Sequence, residues 1–263
     1  MKKRFLHFSL FIFLFFYSGL SMANLTKVAS GFSAPTGIAF DSSGVMYVTN
    51  WSGDSIVKVK SNGEQETFYK GISSPSGIVI DKQDNVYVSS YSDDYILKIT
   101  PNGQSQKISE GYRTPTGIAF SNKGQLLVTN RSTGEIVSLD LETKQKTIVA
   151  NGLSTPVGVT QLADNSLVVS QYSGRLTMIE PNGNKTELGD QFDRPGVGIV
   201  TISSNVVAVI DNGAGMVRQI DVKTKKVINL ASSLSGAVAL AYYNHHYYIG
   251  TWGDGSVYTM DSN

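Results

Sequence analysis

The sequence predicts an all-β fold, a six-bladed β-propeller whose four-stranded blades are about 40 residues long, and three observations carry the prediction. First, a short segment recurs every 40 residues: Pro35-Thr36-Gly37-Ile38-Ala39-Phe40, Pro75-Ser76-Gly77-Ile78-Val79-Ile80 and Pro115-Thr116-Gly117-Ile118-Ala119-Phe120. It persists more weakly at Pro156-Val157-Gly158-Val159, from Pro195 to Ile199 and from Gly236 to Leu240. Second, no stretch after the N-terminal leader sustains a helical period. Runs rich in Val, Ile, Tyr and Thr alternate instead with turn sequences such as Asp41-Ser42-Ser43-Gly44 and Pro101-Asn102-Gly103. Third, the two ends of the chain complement each other, three strands at one and a single strand at the other.

Taken in order, the chain opens with Lys2, Lys3 and Arg4, an apolar run from Phe5 to Tyr17, and Ser21-Met22-Ala23. This is the pattern of a secretory signal peptide over residues 1–23, cleaved before Asn24. The apolar run is shorter than the roughly 20 residues a membrane span needs, so no span is expected after cleavage. With no cysteine for lipid attachment, a soluble product that is secreted or periplasmic is expected. Loss of the three basic residues leaves 19 Lys and Arg against 21 Asp and Glu, a balance that excludes a nucleic-acid-binding surface built on clustered cations. Zero cysteine also removes disulfides, cysteine zinc sites and thiol nucleophiles.

Leu25-Thr26-Lys27-Val28-Ala29 stands just before Gly31, as Thr67-Phe68-Tyr69-Lys70 and Gln106-Lys107-Ile108-Ser109 stand before Gly71 and Gly111. It therefore reads as the fourth strand of the last blade. That blade otherwise supplies only three strands, around Ala239-Leu240-Ala241, Tyr247-Tyr248-Ile249 and Ser256-Val257-Tyr258. Such a strand closes the ring and removes a free sheet edge.

The Pro-x-Gly-Ile-Ala-Phe-Asp and Val-Met-Tyr-Val-Thr-Asn segments, followed by Ser55-Ile56-Val57-Lys58-Val59, resemble the NHL-type repeat of six-bladed propellers over nearly all of residues 24–263. That resemblance embraces binding domains, gluconolactonase-like enzymes, amidating lyases and the streptogramin lyases, so fold alone does not choose a function.

Blade geometry places the ends of the second strands at one mouth of the central channel. Two adjacent rings of candidates follow. One is polar: Asn50, Ser90, Asn130, Gln171, Asp211 and Thr251. The other is largely aromatic: Trp51, Tyr91, Arg131, Tyr172, Asn212 and Trp252. Flat anchors beside hydrogen-bonding groups are the composition of a recognition surface, and the twelve are the expected ligand-binding residues. The alternative for both rings is structural: aromatics that pack between blades and polar residues that end strands. The leading expectation is a monomeric binding or scaffold module for a protein or small-molecule ligand, with no cofactor and no catalytic set.

The resemblance also implies an alternative, a divergent metal-dependent lactonase or lyase with a divalent cation such as calcium or magnesium near Asp211, aided by Asn50 and Asn130. Carboxylate and amide oxygens suit such a hard ion, but the ring offers one carboxylate only. Beyond the leader the histidines are His245 and His246, aligned with the turn between first and second strands, on the opposite face. A three-histidine zinc site or a Ser-His-Asp triad is therefore not expected. Asp81, Asp84, Asp93 and Asp94 read as turn residues.

Overall fold

The computed structural model describes residues 24–189 and 191–262; the leader expected over residues 1–23 lies outside them. Six antiparallel sheets of four strands surround a central channel. The inner strands are Pro35–Phe40, Pro75–Ile80, Pro115–Phe120, Pro156–Gln161, Pro195–Thr201 and Ala237–Tyr243. The second strands, Met46–Asn50, Val86–Ser90, Leu126–Asn130, Leu167–Gln171, Val206–Asp211 and His246–Thr251, run back toward the opposite face. In the last blade the outermost strand is Thr26–Ser30, paired antiparallel with Ser256–Asp261 so that Lys27 faces Tyr258. The N-terminal closure read from the sequence is thus present. Among the described residues no helix is long and apolar enough to cross a membrane.

The repeated Pro-x-Gly has a physical cause at each end. Five of the seven prolines begin an inner strand. That strand is a sheet edge facing the channel, where a missing N–H breaks no ladder bond. The glycine sits where adjacent inner strands nearly touch: a Cβ on Gly77 would lie 2.6 Å from Thr116 O, one on Gly117 2.5 Å from Val157 O, and one on Gly158 2.5 Å from Val197 O. Buried hydroxyls of the second strands then tie blade to blade. Thr49 Oγ1 donates to Ser76 O (2.8 Å), Ser89 Oγ to Thr116 O (2.5 Å) and Ser170 Oγ to Gly196 O (2.6 Å).

At the seam between the last blade and the first the pattern changes residues and keeps its volume. Ala239 takes the glycine position and pairs with Gly250, which takes the hydroxyl position. A Cβ on Gly250 would come within 2.9 Å of Ala239 Cβ.

The apolar core is divided among the seams. Tyr47 and Ile56 of the first blade pack with Ile78, Val88 and Leu97 of the second. Ala29, Ala239 and Val257 of the last blade pack with Ile38, Val48 and Val59 of the first. Each of the six clusters joins two neighbouring blades, so a blade buries its faces only inside the closed ring.

Candidate functional site

The residue after each second strand is held by the same backbone hydrogen bond. Trp51 N donates to Ala34 O (3.1 Å), Tyr91 N to Ser74 O (3.3 Å), Arg131 N to Thr114 O (3.2 Å), Tyr172 N to Thr155 O (3.0 Å), Asn212 N to Arg194 O (3.0 Å) and Trp252 N to Gly236 O (2.8 Å). Six backbones fixed alike bring six side chains to one place. Trp51, Tyr91, Arg131, Tyr172, Asn212 and Trp252 all line a cavity of about 150 Å³ at the channel mouth. Its floor is the second residue of the inner strands, Thr36, Ser76, Thr116, Val157 and Val238, with Gly196 and Val197 in the fifth blade.

These wall residues touch in sequence around the ring. The Trp252 and Trp51 ring centroids are 6.1 Å apart, and Trp51 meets Tyr91 edge-on at 4.5 Å. Arg131 Nη1 donates to Tyr91 Oη at 3.2 Å, and its guanidinium lies 5.9 Å from the Tyr172 ring centroid. Arg194 lies 5.3 Å from the same centroid. Tyr172 Oη donates to Asn212 Oδ1 (3.2 Å), and Asn212 Nδ2 to Ala237 O (2.8 Å). The result is a belt with an indole-rich side and a cationic side. Trp252 remains 44% exposed, which opens the indole side to solvent.

The polar ring has a different position. Asn50, Ser90, Asn130, Gln171, Asp211 and Thr251 are absent from the cavity wall and turn into their own blades. Asn50 Oδ1 accepts from Ser33 N (2.5 Å), Asn130 Oδ1 from Arg113 N (2.6 Å), Gln171 Oε1 from Ser154 N (2.5 Å) and Asp211 Oδ1 from Arg194 N (2.9 Å). Ser90 Oγ reverses the bond and donates to Ser73 O at 2.9 Å. Thr251 Oγ1 serves the last blade by donating to Ser256 O (3.2 Å) and to Asp254. These six, expected from the sequence as ligand-binding residues, are thus placed beside the cavity and not on its wall. In five blades the strand-end side chain pairs with backbone of the loop before the inner strand.

Sequence reasoning passed over the floor. The signal was the variable position of Pro-x-Gly, where three hydroxyl residues stand in the clearest repeats. Beneath the floor the channel widens to about 440 Å³ between the inner strands, and among the described residues tyrosines are the only titratable groups on its wall.

No protein-family model matches the chain, and no curated protein matches it in sequence. Among solved structures the chain is similar to a gluconolactonase from Xanthomonas campestris, with a TM-score of 0.81 and 13% identity over 92% of this chain and 90% of that one. It is similar to virginiamycin B lyase from Staphylococcus aureus, with a TM-score of 0.68 and 16% identity over 85% and 79%. A chain of a nidogen/laminin complex gives 0.71 and 18% over 80% and 86%. The fold shared with all three is the propeller.

Within this propeller the ligand set suggested for a divalent ion is not assembled. Asp211 is fully buried; its Oδ2 lies 3.2 Å from Arg218 Nε, an ion pair too oblique for a hydrogen bond, while Oδ1 accepts from the loop. Asn50 and Asn130 are engaged in two other blades, so the three oxygens do not converge. Among the described residues no three His, Asp or Glu side chains form a group able to hold a metal. His245 occupies the turn before His246–Thr251 with φ of 63°, and His246 Nε2 lies 2.9 Å from Asp261 Oδ1 on the face away from the cavity. Asp81 has the turn role expected of it: its oxygens accept from Gln83 N, Asn85 N and Tyr87 Oη.

Proposed function

We propose that the protein is a secreted or periplasmic binding propeller that seats a small ligand in the cavity bounded by Trp51, Tyr91, Arg131, Tyr172, Asn212 and Trp252. One observation carries the reading: six side chains of four kinds, one from each blade, converge on a single concave site with an apolar wall and few polar groups. Arg131 and Asn212 interrupt the aromatic series, as a packing motif copied six times would not.

A lactonase or lyase has less support from the same site. Among the described residues none that lines it is a carboxylate or a histidine, and the likeness to a gluconolactonase and a lyase is one of fold. A protein partner is a second reading, favoured by the exposed indole of Trp252 at the rim.

The test is a melting assay of the protein and its Trp51→Ala/Trp252→Ala variant against a panel of one- and two-ring compounds, charged and neutral. At least one compound is expected to raise the wild-type Tm by about 2 °C or more and to leave the double variant unmoved; a ligand at about 100 times its Kd adds roughly 2.7 kcal/mol. Compounds that stabilise both proteins equally would place the site elsewhere, and a panel with no stabilising compound would defeat the small-ligand reading.

A further inference from the structure

We infer that the mouth cavity selects a small planar ring bearing a carboxylate, held between the indoles and Arg131, an inference that rests on the binding reading above. Three independent features point to it. The first is charge: among the described residues Arg131 is the one charged residue lining the cavity, and no carboxylate among them lies within ion-pair distance of it. Its guanidinium spends one nitrogen, Nη1, on Tyr91 Oη, and among the described residues its other donors have no acceptor. An arginine fork with free donors at a partly enclosed site matches the two oxygens of a carboxylate.

The second is the floor. Ser76 is fully buried, it lines the cavity, and its Oγ has no hydrogen-bond partner among the described residues. Its counterparts are satisfied: Thr36 Oγ1 donates to Ala34 O at 3.0 Å and Thr116 Oγ1 lies 2.6 Å from Thr129 Oγ1. A buried hydroxyl without a partner is costly, and this one stands in the cavity floor, where a small shift would present it to what fills the cavity.

The third is size and shape. About 150 Å³ is the space a single benzene-sized ring occupies. Trp51 and Trp252 present aromatic surface on one side, while Tyr172 opposite is already covered by cations from Arg131 and Arg194. The ring of the ligand therefore belongs with the indoles and its acid with Arg131.

The chain carries its own reporter. Its only two tryptophans both line this cavity, so intrinsic tryptophan fluorescence reads the site alone. The protein is titrated with benzoate, with benzamide as the neutral isostere, and with acetate as the anion lacking a ring. Benzoate is expected to saturate the signal and to bind at least tenfold tighter than either. Arg131→Gln should bring benzoate and benzamide within about twofold of each other, and Ser76→Ala should weaken benzoate several-fold, with both variants melting like the wild type. Equal affinities for benzoate and benzamide would overturn the charge selection while leaving an aromatic-binding cavity in place. A benzoate preference that survives Arg131→Gln would remove the assigned anchor. Absence of saturable binding by all three probes would overturn the inference outright.

Discussion

At the scale of single residues, adjacent positions in the chain have separate work. Asp211 illustrates the structural member: its carboxylate is buried against Arg218 and accepts backbone N–H groups from the loop before Pro195. Asp211→Asn leaves Arg218, whose side chain is 12% exposed, without its counter-charge. The expected loss is about 3 kcal/mol, seen as a Tm lower by roughly 6 to 12 °C; a loss under about 1 kcal/mol would contradict the structural role. The sequence displayed both rings at the right positions and left their directions undecided. Asn50 and Trp51 are neighbours, and one turns inward and the other over the channel because Trp51 N is bound to Ala34 O while Asn50 Oδ1 is bound to Ser33 N. Those bonds join residues 17 apart through an irregular loop, and no periodicity reports them. Ser76 was equally hidden, since its lack of a partner depends on the surrounding shape.

At the scale of the element, the decisive contact is inner strand against inner strand. Gly117→Ala would force a methyl to 2.5 Å from Val157 O, which backbone cannot evade without parting the blades. A cost of about 1 to 3 kcal/mol follows, against almost none for Gly189→Ala, whose added methyl meets nothing nearer than 3.6 Å. Thermal melts of the two variants side by side check it, and equal Tm values would refute close approach as the reason for the repeat. This part of the fold was legible because the constraint recurs: four inner strands keep proline and glycine two residues apart, and the fifth keeps both with one residue inserted, Pro195 and Gly198. The last blade was fainter because Ala239 and Gly250 meet the same constraint with exchanged residues, which becomes visible only when the two strands are paired.

At the scale of the whole molecule, closure depends on the N-terminal strand and on Asp254 beside it. Lys27 Nζ donates to Asp254 Oδ2 at 3.1 Å, and Thr251 and Tyr258 donate to the same carboxylate. Burial opposes its ionisation, yet the bonds from Thr251, Tyr258 and Lys27 hold the carboxyl well below the usual carboxylate range. A carboxyl whose folded pKa is depressed stabilises above its unfolded value of 3.8, and that contribution is lost as pH falls toward the folded one. The pair is partly exposed, so after solvent screening about 1 kcal/mol is expected at pH 7. Asp254→Asn should therefore melt about 2 to 4 °C lower at pH 7, with the difference narrowing below about pH 4. A constant difference between pH 7 and pH 2.5 would show that the carboxylate does not clamp the ring. The proposed binding role assigns recognition to the aromatic belt and stability to the polar ring beside it. Its most direct test measures, in Trp252→Ala and Asp211→Asn, both the melting temperature and its shift with a compound that stabilises the wild type. Trp252→Ala should keep its Tm and lose the shift, while Asp211→Asn should lose Tm and keep the shift; the opposite pattern would overturn that assignment.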